Sequence, residues 1–367
     1  MHASISDYLN TYKETTHKVR GHKLKSVKEE MAIFDTLSDD VMPDLYGTGT
    51  VIEQFESKIA ADLGKESAIF FPSGTMAQQI ALRIWCDEKS IKQVAYHPLC
   101  HLEIHEQDGL KKLHHIQTIL LGEKERLFTL EDLQTLPEVA VVLFELPQRE
   151  IGGQLPSWES LVEMVTYCKN RGFHTHLDGA RVFECLPYYG KTAQEVADLF
   201  DSAYLSFYKG FGGVAGAILS GPKAFVDQAK IWKRRHGGDL VRLYPYIVTA
   251  EIGYDLRKER MAAYFEQAKA YASILSNING ITLVPATPVC NMFHVHFSGS
   301  EEVLRDQLIE VMNLCDVALF GGFSQTEDGY VKSEMTIGDA YEEVPKEKLL
   351  EAIALFKTLR NDSSAES

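Results

Sequence analysis

Phe173-His-Thr-His-Leu-Asp-Gly-Ala-Arg181, read with Ala203-Tyr-Leu-Ser-Phe-Tyr-Lys-Gly-Phe-Gly-Gly213 further along, decides the fold of this chain. The first stretch alternates apolar and polar residues and ends in the carboxylate of Asp178. The second is an apolar, strand-like run that ends in Lys209 and then glycines. Two strand ends, one delivering an acid and the other an amine, are what pyridoxal phosphate (PLP) requires. The amine forms a Schiff base with the cofactor aldehyde, and the carboxylate pairs with the pyridinium nitrogen and keeps the ring an electron sink. Taken singly, either residue reads more readily as a solvated surface group. The pairing is what carries the argument.

Outward from these two segments, further strands are expected at Ser67–Phe71, Val94–Tyr96, His115–Leu121, Val139–Phe144 and Ala217–Leu219. Helical runs separate most of them. Val51, Phe55, Ile59 and Leu63 recur every four residues and Gly64 supplies the stop, as in an amphipathic helix. Met76–Trp85, Ser157–Asn170 and Ala193–Leu199 read the same way. Strands alternating with helices indicate parallel βαβ units and an α/β layered fold. Past about residue 245 the character changes. A long helix is expected from Thr249 to Leu275, then strands at Thr282–Val284, Met292–Phe297 and Val317–Leu319, and a last helix over Lys346–Arg360. The division that follows is an N-terminal arm or helical cap (1–40), a large cofactor-binding domain (41–245), a small α+β domain (246–360) and a disordered tail (361–367).

The 367 residues are enough for two domains, and 45% hydrophobic with 24% charged residues is ordinary for a globular protein. A formal net charge of −15 argues against nucleic acid as a partner, since no basic stripe is present to neutralise phosphates. The polar N-terminus lacks an apolar core for secretion, and no stretch has the roughly 20 apolar residues that span a bilayer. Six scattered cysteines lack CxxC spacing, so neither a zinc site nor a disulfide framework is indicated. The expectation is a reduced, cytoplasmic enzyme with no membrane association.

Phe71-Pro-Ser-Gly-Thr-Met76 sets small residues between a strand and a helix. The free N–H groups of the first helical turn, with the hydroxyls of Ser73 and Thr75 around Gly74, make a phosphate cradle. A plain Ser N-cap is the competing reading.

At these positions the chain resembles the threonine aldolase/β-eliminating lyase family of PLP enzymes. The resemblance covers most of residues 44–245 and is densest in YGTGTVIEQFE, FFPSGTMAQQIAL, HTHLDGARVFE and SFYKGFGGVAGAILSG. It implies a PLP-dependent transferase-like (type I) fold: a three-layer α/β/α large domain and a smaller α+β C-terminal domain. It also implies a homodimer or homotetramer with active sites at subunit interfaces and a small amino acid as substrate. Carried over by position, Lys209 is the Schiff-base lysine and Asp178 the pyridinium partner. Arg181 meets the substrate carboxylate or the cofactor's phenolic oxygen, as its planar fork suits. His101 stacks on the cofactor ring and Glu106 belongs to the local network. Arg234 reaches the phosphate of the neighbouring subunit. The HxxxH pair His101 and His105 lacks the glutamate of zinc-protease signatures, and no metal is expected.

Three departures from the family bear on substrate. In Phe144-Glu-Leu-Pro-Gln-Arg-Glu-Ile-Gly-Gly153, Glu145 and the glycine pair match, but Gln148 stands where a histidine is usual near the substrate hydroxyl. Glutamine can bond that hydroxyl but takes no proton at neutral pH. The family's N-terminal SDT…R segment is not recognisable, and Lys332 stands where an arginine is usual. The expected reaction is aldol cleavage of threonine or allo-threonine to glycine and acetaldehyde, with His101, His105, Glu106 and a water all open as the base. β-Elimination or transamination on the same scaffold is the nearest rival. A PLP-binding protein without lyase activity is the rival of another class.

Overall fold

In a computed structural model the chain is described at residues 2–326 and 328–365. It divides into two compact units, one from Lys25 to Met261 and one that joins the segment up to Leu24 with the chain from Ala262 onward.

The larger unit is built on a seven-stranded sheet. Its strands are β1 (Ser67–Phe71), β2 (Gln93–Tyr96), β3 (Gln117–Leu120), β4 (Val141–Glu145), β5 (His174–Asp178), β6 (Ser202–Ser206) and β7 (Ala217–Gly221). Their order is β1-β7-β6-β5-β4-β2-β3, with β7 alone antiparallel to its neighbours. β1, β4 and β7 are near-continuous apolar runs, as expected of strands covered on both faces. Alternation along β1 shows the layering. Ile69 and Phe71 join one core with α2 (Gly74–Lys89) and α4 (Lys223–Arg235), whereas Phe70 packs against Phe55 of α1 (Thr50–Asp62) on the opposite face. α3 (Trp158–Asn170) precedes β5, and Trp85 of α2 stacks on His174 of β5 with centroids 4.0 Å apart.

The expected helix over Thr249–Leu275 is two helices. α5 (Tyr244–Arg257) belongs to the larger unit, a short 3₁₀ turn occupies Lys258–Arg260, and α6 (Met261–Leu275) follows. The division between units therefore falls after α5 and not ahead of it. Asp44 anchors the start of α5, its Oδ1 accepting from the N–H groups of Leu243 and Tyr244 at 2.8 Å each.

The second unit carries an antiparallel sheet of β8 (Ile281–Val284), β9 (Met292–Phe297), β10 (Ser324–Gln325) and β11 (Val331–Thr336), in the order β10-β11-β9-β8. Val317–Ala318 does not join it. This pair instead runs parallel to His17–Lys18 of the N-terminal arm. Tyr8 seals the same arm, its hydroxyl donating to the carbonyls of Phe320 and Gly321. α7 (Glu301–Cys315) and α8 (Lys346–Ala365) complete the unit. Asn361–Ala365, read as part of a tail, continue the last helix, and residues 366 and 367 lie outside the described residues. Among the described residues no helix is long and apolar enough to cross a membrane.

Candidate active site

In an open parallel sheet, ligands collect beyond the carboxyl ends of the strands. Most of the sequence-predicted residues, Asp178, Glu145, Lys209, His101, Glu106 and the Ser73–Thr75 turn among them, stand at strand ends or follow them there. Asp178 is the last residue of β5, only 3% exposed, and stands in register with Glu145 at the end of β4. Gly179 makes the turn possible. Its N–H donates to Tyr204 O at 2.9 Å, and a Cβ would lie 2.7 Å from that oxygen, so no side chain fits.

Asp178 Oδ1 accepts from the Ala180 N–H at 3.1 Å. Burial raises its pKa above the usual carboxylate range, while the Lys209 charge, the Ala180 N–H and the Gln78 side chain pull it back toward the ionised form. Glu145 is raised too, by burial and then by the neighbouring Asp178 charge. Its oxygens accept from Gln148 Nε2 at 3.2 Å and from the Arg149 N–H at 3.3 Å. Gln148, 2% exposed, also donates to Leu99 O at 3.2 Å. Its amide nitrogen is thus spent inside the protein.

Lys209 sits half-buried on the turn after β6, its Nζ 5.8 Å from the centre of the Tyr208 ring. Its charge acts on Asp178, Glu145, Glu106 and His101 together, which makes these five residues one electrostatic group. His101 opens a short helix, His101–Ile104. Burial lowers its pKa to about 4, and the charges of Lys209, His105 and Arg149 push in the same direction. Glu106 moves the other way. Burial lifts it to about 7, against hydrogen bonds from Gln79 (2.8 Å to Oε2) and Thr75. Glu106 Oε1 lies 3.9 Å from His101 Nε2. An imidazole kept neutral beside a carboxyl poised near neutrality is an arrangement suited to moving one proton.

Ser73, Gly74 and Thr75 occupy the crossing from β1 into α2. Ser73 is the N-cap, its Oγ accepting from the Met76 N–H at 3.4 Å. Gly74 leaves a cradle that a side chain would fill, since a Cβ would run into the Tyr204 hydroxyl and approach the Tyr208 hydroxyl at 3.3 Å. Unpaired helix N–H groups beside hydroxyls form a donor set that fits a phosphate. The residues present therefore fit PLP at both ends, with a carboxylate for the ring nitrogen and a helix start for the phosphate.

Arg181 and Arg234 are held differently. The Arg181 guanidinium is turned onto the buried Glu184, at 3.3 and 3.5 Å. Arg234 is exposed, pairing with Asp239 at 3.7 Å and lying 5.6 Å over the Tyr46 ring. Sequence reasoning passed over Gln78, Tyr204, Tyr208 and the rim pair formed by His105 and Glu150, whose Nε2 and Oε1 are 3.1 Å apart. Both tyrosines precede Lys209 in the same strand-like run. Gln78 carried no signal, being one more residue on an amphipathic helix.

A sequence model of the beta-eliminating lyase family matches residues 29–298. The chain belongs to the beta-eliminating lyase family. Its members are PLP-dependent enzymes, and threonine aldolases are among its relatives. The chain is 23% identical to low-specificity L-threonine aldolase 1 of Arabidopsis thaliana, over 82% of this chain and 87% of that protein. A crystal structure from Exiguobacterium sp. 255-15, provisionally named an aromatic amino acid beta-eliminating lyase/threonine aldolase, is 50% identical with a TM-score of 0.94. That match covers 96% of this chain and 99% of the other. A second structure, from Listeria monocytogenes and provisionally named an L-allo-threonine aldolase, is 47% identical with a TM-score of 0.94, again over 96% and 99%. These matches agree with the expected lyase family and with the α/β fold read from the sequence.

Proposed function

We propose that this family member binds PLP and cleaves the Cα–Cβ bond of a β-hydroxy-α-amino acid, with threonine or allo-threonine giving glycine and acetaldehyde. The observation that carries the reading is the group of Asp178, Glu145, Glu106 and His101 gathered within the field of Lys209. Relatives named for the same reaction support it.

PLP supplies an electron sink for the carbanion left when the bond breaks. Lys209 is the residue that would hold the cofactor covalently, through Nζ. Asp178 would pair with the ring nitrogen. Ser73, Gly74 and Thr75 would receive the phosphate, and Arg181, steadied by Glu184, would take a carboxylate or the phenolic oxygen. His101, kept neutral at pH 7 by burial, would stack on the ring without opposing Lys209 and would accept the β-hydroxyl proton, with Glu106 3.9 Å away to stabilise the charged imidazole. The Gln148–Glu145 bond fixes the substrate side of the pocket.

The same reading extends to assembly and compartment. Tyr46, whose ring lies under Arg234, and its neighbours Leu45 and Val241 are exposed apolar residues, which supports a homodimer or homotetramer in which Arg234 reaches a neighbour's phosphate. Six free, buried cysteines accord with a reducing cytoplasm.

The test is to purify the protein, record its visible spectrum and assay acetaldehyde and glycine from each threonine stereoisomer. Ammonia and a keto acid without glycine would favour β-elimination or transamination. Borohydride is expected to fix the cofactor to Lys209 alone, and Lys209→Ala to abolish both the visible band and turnover. Labelling at another lysine would sink the assignment.

A further inference from the structure

His97 is a buried imidazole that no step proposed above uses. It follows the last residue of β2 and is 1% exposed. Both ring nitrogens are engaged. Nδ1 accepts from the Leu99 N–H at 3.0 Å, and Nε2 lies 2.9 Å from Arg126 O. Leu99 is gripped at its carbonyl too, which accepts from Gln148 Nε2 at 3.2 Å. The same amide nitrogen donates to Glu145 Oε2, also at 3.2 Å. A further bond, from the Cys100 N–H to His97 O at 2.8 Å, closes the turn, and the next residue is His101.

These partners leave the ring one form. A backbone N–H only donates, so Nδ1 bears no proton. A carbonyl oxygen only accepts, so Nε2 must carry the proton and donate to Arg126 O. A charged imidazole would turn an Nδ1 proton onto the Leu99 N–H, setting two buried donors against each other. Burial also lowers the ring's pKa, against the pull of the Arg126 carbonyl. That carbonyl stands on a fixed loop, because Asp132 takes the Arg126 guanidinium with both oxygens, at 2.6 and 3.0 Å.

We infer that His97 is a positioning residue, a neutral imidazole that pins Leu99 and so locks the turn leading into His101 to the turn that carries Gln148 and Glu145. The two turns follow β2 and β4, which are neighbours in the sheet. The Gln148 amide can bridge them only where Leu99 O is held within its reach, and His97 supplies that hold. The effect belongs to the β-hydroxyl side of the site, where Gln148, Glu145 and His101 stand. None of these bonds leads to Asp178, to Lys209 or to the Ser73–Thr75 turn. The inference rests on the aldolase reading given above.

Three measurements on the full-length, PLP-loaded protein test it. Selective ¹⁵N labelling of histidine is expected to show His97 at pH 7 as the neutral Nε2–H form, its signal assigned by its loss in His97→Asn. An Nδ1–H or charged His97 would overturn the lock. The second measurement compares two amide variants. His97→Asn keeps an acceptor for an N–H two residues on, as asparagine does in turns, whereas His97→Gln reaches toward Arg126 and gives up that acceptor. In His97→Gln, kcat/KM for threonine is expected to fall about five- to tenfold, the size of one neutral hydrogen bond and some lost orientation. In His97→Asn it should stay within about twofold of wild type. Inhibition by glycine, which has no β-carbon, and binding of PLP should be unchanged in both. Equal losses in the two variants, or glycine and PLP binding that weaken in step with turnover, would mean a merely structural role. No loss in His97→Gln would mean no role at all. The third measurement joins His97→Gln to Gln148→Ala. Two breaks in one lock should cost little more than one, so losses that multiply would overturn the link through Gln148. Wild-type protein that releases no acetaldehyde would instead sink the aldolase reading. The lock would then be decided by the histidine spectrum and by exchange of the Leu99 amide proton, expected to be slow in wild type and His97→Asn and fast in His97→Gln.

Discussion

The floor of the site and its rim are built from the same residue types and behave as opposites. On the floor, Asp178, Gln148, Gln78 and His176 are buried and Glu145 is half-buried, and each is held by neighbours of fixed donor or acceptor character. At the rim, His101 and His105 are 38% and 42% exposed at the side chain, their rings 5.0 Å apart, and Glu150 bridges His105 to Arg149. Low dielectric makes each floor contact strong and makes its loss expensive. Water at the rim leaves ion pairs that exchange easily. Holding a ring charge calls for the first kind of surface. Admitting an amino acid and passing one proton calls for the second.

The comparison can be broken most sharply at Asp178. Asp178→Asn is expected to keep some cofactor binding and to lower turnover by about ten- to a hundredfold or more, the equivalent of a charge-assisted hydrogen bond of roughly 1.5–3 kcal/mol. Steady-state kinetics check this, and unchanged turnover would mean that the ring nitrogen meets another group.

Glu106 joins floor to rim and offers a pH test. Its pKa in the folded protein is lifted to about 7 by burial, from an ordinary 4.5. Folding therefore favours the protonated acid, so its contribution is complete below about pH 4.5 and is lost as pH rises through 7. Glu106→Gln should remove that loss, flattening the fall in thermal stability between those pH values by on the order of 1–3 kcal/mol. A profile parallel to wild type would place Glu106 in contact with water or with a stronger partner.

Gln148→Ala strikes the floor through a neutral amide. About a tenfold fall in kcat/KM is expected, from one hydrogen bond of about 1 kcal/mol and some lost orientation of Glu145. If kcat/KM holds at the wild-type value, Glu145 keeps its place without this amide. The rim should give least. Glu150→Gln removes the partner of His105, and its effect on stability is expected to stay under about 1 kcal/mol and to vanish at high salt. A larger, salt-resistant effect measured by thermal unfolding would erase the distinction between rim and floor.

What could be read from the chain follows the range of the interactions involved. The strands of the large sheet announce themselves as short apolar or alternating runs, and β1, β5 and β6 lie close to where the sequence placed them. Lys209 and Asp178 were legible because each stands at the end of such a run beside glycines. β11 was passed over, although Val331-Lys-Ser-Glu-Met-Thr336 alternates buried with half-buried residues, because its polar positions mask the period of two. The break between α5 and α6 was invisible, since Lys258-Glu-Arg260 carries neither glycine nor proline to mark it. The buried hydrogen bonds of His176 to Ser202 and to Gln78 join residues 26 and 98 positions apart, and nothing in local spacing can signal that.

The parallel pairing of His17–Lys18 with Val317–Ala318 has a consequence for how the protein is made. The first strand of that pair leaves the ribosome roughly 15–60 s before its mate, at translation rates of about 5–20 residues per second. The whole span from Lys25 to Met261 is synthesised in the interval. The N-terminal segment must therefore wait unpaired while an entire neighbouring unit emerges and folds. Its polar, charge-rich composition keeps it soluble through that delay, and the second unit can close only when synthesis is almost over.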